Sequence, residues 1–103
     1  MNEDTREAIA QLRRAADRWE SGEVHWFGNG QGRVVDDSMP AALCAAMALP
    51  QQDGPRRIAR DAIIAAAGHP AGSLVHWNDY MVSGLPEVIS TFRAAADQLE
   101  ERS

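Results

Sequence analysis

The chain has 103 residues, 45% of them hydrophobic, which is the length of one small domain with enough apolar mass for a single core. Ten Arg, no Lys and fifteen Asp plus Glu leave a net charge of −5, and no window approaches the run of about 18 apolar residues that a membrane-spanning helix needs. A lone cysteine, Cys44, makes neither an internal disulfide nor a cysteine-based metal site, so the fold must rest on packing.

Eighteen alanines gather around residues 8–16, 41–48, 59–67 and 94–96, and alanine loses no side-chain entropy in a helix. Ile9, Leu12, Ala16 and Trp19 recur at helical spacing, with Asn2 or Asp4 as caps and acids at the positive end, which predicts a first helix over 4–20 closed by Ser21 and Gly22. Two short apolar runs around Gly28-Asn29-Gly30, from Glu23 to Val35, read as a β-hairpin docked on the helices. Pro40 after Asp37 or Ser38 opens a second helix over 39–49, uncharged from Ala41 to Ala46 and so expected at the centre of the core. A loop from Pro50 to Gly54 leads to Pro55 in the first turn of a third helix, which carries Ile58, Ala62, Ile63 and Ala66 and stops at Gly68. Residues 71–84 read as irregular, with room for one helical turn. A fourth helix opens at Pro86 and Glu87 and shows Val88, Ile89, Phe92, Ala96 and Leu99 at helical spacing.

The fold expected is therefore one mostly all-α domain, a compact bundle of about four helices with a short β-hairpin between the first two. The first and fourth helices are expected to pack on the alanine-rich second one. The expected core is Ile9, Leu12, Trp19, Leu43, Cys44, Met47, Ile58, Ile63, Trp77, Val88, Ile89, Phe92 and Leu99. An internal echo aligns Leu12–Glu20 with Phe92–Glu100, matching at Arg, Ala, Ala, Asp and Glu. Because it is short and alanine-rich helices converge on such strings, it reads as convergence rather than a repeat.

Chemistry is sparse. Cys44, His76 and Asn78 are the residue types of a thiol hydrolase, but a mid-helix thiol among alanines stays protonated and packs as a small hydrophobe. His25, His69 and His76 have no second His or Cys at helical spacing, and Gly28, Gly30 and Gly32 miss the phosphate-binding register. No metal and no cofactor is called for. Asp37-Ser38-Met39 at a helix start is similar to the phosphopantetheine-bearing serine of acyl and peptidyl carrier proteins, but Pro40 follows immediately and the plain reading of Ser38 is a helix cap. His76-Trp77-Asn78-Asp79 is the most distinctive string. Trp77 reads as an aromatic anchor and Asn78-Asp79 as a turn cap, or together with His76 as a polar binding site on a loop.

Trp26 with its Gly-rich turn, Val34-Val35-Asp36, the helix from Ala42 to Ala48, Trp77-Asn78-Asp79, and Glu87-Val88 leading to Arg93-Ala94-Ala95 carry a resemblance over about residues 8 to 98. The chain resembles a family of small proteins of unknown function from high-GC actinobacteria and their phages. The resemblance implies no activity.

Arg residues interleaved with acids leave no basic face for a phosphate backbone, so a nucleic-acid partner is not expected. Met1 to Glu7 holds no basic region followed by an apolar stretch, which points to a cytoplasmic address. With no nucleophile and base, ligand cluster or phosphate loop standing out, the expectation is a protein-interaction module, with the carrier protein and the thiol hydrolase as alternatives.

Overall fold

The computed structural model describes residues 2–23, 53–68, 77 and 82–102. Among them are three helices and no strand: α1 (Glu3–Ser21), α2 (Asp53–Ala67) and α3 (Leu85–Arg102). Each helix packs against the other two, and α1 and α3 share the most extensive interface. The hairpin expected over 23–35, but for Glu23, and the helix expected over 39–49 with its core residues Leu43, Cys44 and Met47 lie outside the described residues. The same holds for the expected packing of the outer helices on that segment.

Local chemistry sets the helix ends. Asn2, in extended conformation, accepts the Thr5 N–H at 2.7 Å through its side chain, and Glu3 and Asp4 place negative charge at the positive dipole end. At the far end Gly22 takes φ +81°, so that its N–H reaches the Trp19 carbonyl and the Glu23 N–H reaches the Arg18 carbonyl. This double bond pattern satisfies two carbonyls that the helix leaves unpaired, and it needs a left-handed residue. Gly68, at φ +71°, closes α2 in the expected place.

The start of α2 corrects the expected loop, because Asp53 and Gly54 are already helical. Proline at the third helical position still lacks only an N–H that would have no partner inside the helix. Gly54 suits that turn because the Asp4 carboxylate of α1 lies against it: an added Cβ would overlap one carboxylate oxygen and stand 2.9 Å from the carboxyl carbon. Helix α3 begins at Leu85, one residue before the expected Pro86. Its Glu87 side chain reaches back to accept both the Ser83 N–H and the Ser83 hydroxyl, each at 2.9 Å, which holds this residue just before the helix against its first turn.

Ala8, Leu12, Ala15, Ala16, Ala59, Val88, Phe92, Ala95 and Ala96 are fully buried, with Ile63, Trp77, Ala62, Val82, Trp19, Ile9 and Leu99 completing the core among the described residues. Alanine at so many contact positions lets the helices approach closely. Two expected core residues sit at its edge: Ile58 and Ile89 are only partly buried and pack against it. Ile58 lies one position off the stripe made by Ala59, Ala62 and Ile63, and Ile89 faces the margin between α1 and α3 rather than the interior. Gln11, Pro55 and Val82 are buried where burial was not expected. Outside the three helices, the Val82 N–H bonds to the Trp77 carbonyl at 3.2 Å, and both side chains are buried.

Candidate functional site

The interface between α1 and α3 is built on a reciprocal charge pattern. Arg93 of α3 donates to Asp17 and Glu20 of α1, each at 2.9 Å, and Arg13 of α1 donates to Asp97 and Glu100 of α3, each at 3.0 Å. Each helix thus carries an Arg, an Asp four residues on and a Glu three further, and each inserts its Arg into the acid pair of the other. Such pairing requires the two helices to run antiparallel. Between the two clamps lie Ala15 and Ala16 on one side and Ala95 and Ala96 on the other, all fully buried. The echo of Leu12–Glu20 in Phe92–Glu100 is therefore functional in the fold: both segments write the same half of a two-fold pattern.

The clamps perturb their members. Hydrogen bonds to Glu20 first and Asp17 second, aided by their charges, raise the Arg93 pKa well above its ordinary value, and bonds to Glu100 and Asp97 raise that of Arg13. Glu20 is held below the usual carboxylate range by the Arg93 hydrogen bond and charge. At neutral pH Glu20 is an anion and has no proton to donate.

Beside the Arg93 clamp, Trp19 and Phe92 meet edge to face, with ring centroids 5.0 Å apart and planes at 73°. Here an open groove of about 700 Å³ runs along the seam. Trp19, Leu85, Pro86, Ile89 and Ala94 supply its apolar lining, and Glu20, Ser90, Arg93 and Asp97 its polar lining. The indole N–H of Trp19 is buried and has no hydrogen-bond partner among the described residues, and the same is true of Trp77.

Of the binding residues expected from sequence, only Trp77 is described, and it is buried in the core as an anchor would be. His76, Asn78 and Asp79 lie outside the described residues, as do Cys44 and Ser38. Sequence reasoning missed the groove; the signal that could have found it was the repeated Arg, Asp and Glu spacing. Among the described residues no three His, Cys, Asp or Glu side chains gather as a metal site, and no helix is long and apolar enough to cross a membrane. Compared with protein-family models, with curated proteins and with solved structures, the chain matches none.

Proposed function

We propose that the chain is a small cytoplasmic protein-binding module, a phage or accessory protein that binds a host or partner protein. The groove between α1 and α3 supports this reading. It offers an apolar lining with a charged rim, the makings of a recognition surface. Its hydroxyl, Ser90, has no base among the lining residues other than carboxylates, and of these Glu20 is bound to Arg93. Small-molecule sites enclose most of their ligand, whereas this groove is open along one side. Its acidic rim disfavours a nucleic-acid backbone.

The test is affinity capture from the native cytoplasm with the wild-type chain beside Ser90→Arg and Ile89→Glu. Ser90 is exposed and lines the groove, so its arginine variant alters the surface with the core untouched. A specific partner retained by the wild type and lost from both variants, while circular dichroism stays unchanged, is the expected result. Repeated capture of no groove-dependent protein counts against the reading.

A further inference from the structure

We infer that the groove receives a basic amphipathic helix of the partner protein, which seats one bulky apolar side chain against Trp19 and Ile89 and sets Lys or Arg residues against Glu20 and Asp97. The inference rests on the reading of the chain as a protein-binding module and names the chemistry of what it binds.

Charge is the first argument. Each clamp holds one guanidinium between two carboxylates, so each keeps one net negative charge, and both clamps contribute a carboxylate to the groove. The carboxylates are also the more accessible members. Glu20 and Asp97 are 63% and 66% exposed, whereas Arg93 and Arg13 are 39% and 42% exposed. An approaching partner therefore meets carboxylate before guanidinium. An anionic ligand, by contrast, would have to take Arg93 from two carboxylates that already hold it at 2.9 Å.

Backbone chemistry is the second. Both walls of the groove are helices, which present no strand edge, so an extended segment would find no row of N–H and C=O groups to pair with along its length. A helix satisfies its backbone by itself and presents only side chains. Spacing agrees with this. Glu20 stands at the level of Arg93, and Asp97 lies one helical turn further along α3, roughly 6 Å at 1.5 Å per residue. Cations three or four residues apart on a partner helix have the same separation.

The experiment uses the full chain and three labelled helical peptides of equal length, each with Leu at positions spaced by three and four. The remaining positions are Lys in the first, Glu in the second and Gln in the third. Fluorescence anisotropy gives each dissociation constant, and amide chemical shifts locate each peptide. The Lys peptide should bind about tenfold or more tighter than either of the others, lose most of that advantage in high salt, and shift the amides of Glu20, Ile89 and Arg93. Asp97→Lys, at an exposed position, should narrow the preference for the Lys peptide over the Glu peptide while the circular dichroism spectrum is retained.

Equal binding of all three peptides at those amides overturns the basic helix but leaves the protein-binding reading standing. Shifts confined to other surfaces, or no binding, overturn the inference, and groove-dependent capture from cytoplasm then decides the broader reading separately. Concentration-dependent self-association that shifts the groove amides without any peptide seats a second copy there and also overturns it.

Discussion

At one end of the α1–α3 seam Arg93 sits between Asp17 and Glu20, next to the Trp19–Phe92 ring pair; at the other Arg13 sits between Asp97 and Glu100, with Leu12 and Leu99 as sequence neighbours. The ionic pattern is the same and the apolar content is not. Sliding one helix by a turn would break both clamps together, so the charges specify direction and register. Exposed ion pairs contribute only about 0–1 kcal/mol each, however, and cannot supply the stability. The burial of two aromatic rings at one end and of leucines at the other does that. Trp19 of that ring pair also lines the groove, so the end with the aromatic burial is the end that carries the candidate site.

The sharpest test of this asymmetry removes the apolar groups one end at a time. Phe92 is fully buried and meets Trp19 edge to face, so Phe92→Ala should cost about 3–5 kcal/mol, a large share of a small domain's stability. Leu99, still 8% exposed near the end of α3, can be replaced with less loss, and Leu99→Ala should fall near the lower end of the ~2–5 kcal/mol range for leucine truncations. Urea denaturation of both variants checks the order. Equal losses would mean that the two ends hold the seam alike.

The local half of this architecture was legible in the sequence. Asn2, Gly22, Gly68 and Glu87 act on backbone groups a few residues away, so the helix ends they set could be read from residue type to within one or two positions. Burial on the strongest periodic stripes, through Leu12, Trp19, Val88 and Phe92, was legible for the same reason. Features decided between helices were not. Gln11 is buried because Glu7 accepts its amide N–H group and Arg14 bonds its oxygen at 3.0 Å, a satisfaction that composition does not announce. Ile89 has the right phase for a core residue, and only the position of α1 places it at the groove. The echo between Leu12–Glu20 and Phe92–Glu100 was visible as a string, but its meaning depends on the two segments meeting antiparallel.

A smaller effect tests the shared ionic pattern. Arg13→Ala and Arg93→Ala should each lower stability by less than about 1 kcal/mol, by similar amounts, and less in high salt. The two clamps share no residue, so the double variant should lose close to the sum of the single losses. Denaturation of the two single variants and the double variant completes the cycle. A double variant much worse than the sum would show that the clamps act as one unit through the alanine contact between them.

The smallest expected effect is in pH. Glu20 has its pKa lowered in the folded chain, chiefly by the Arg93 hydrogen bond, from an ordinary value of 4.5. A carboxyl with a depressed folded pKa binds protons more readily when unfolded, so its contribution is fully present above the ordinary value. That contribution declines as pH falls below 4.5 and is gone once pH has passed through the lowered value. In Arg93→Ala the cause of the shift is absent, so the Glu20 side-chain carboxyl, followed by its carbon chemical shift, should titrate higher than in the wild type. The difference in melting temperature between wild type and Arg93→Ala should therefore be largest near neutral pH and shrink on acidification. Arg13→Ala leaves the Glu20 clamp intact, so the same titration in that variant should match the wild type, and a Glu20 curve displaced by Arg13→Ala would show that the two ends of the seam are not independent.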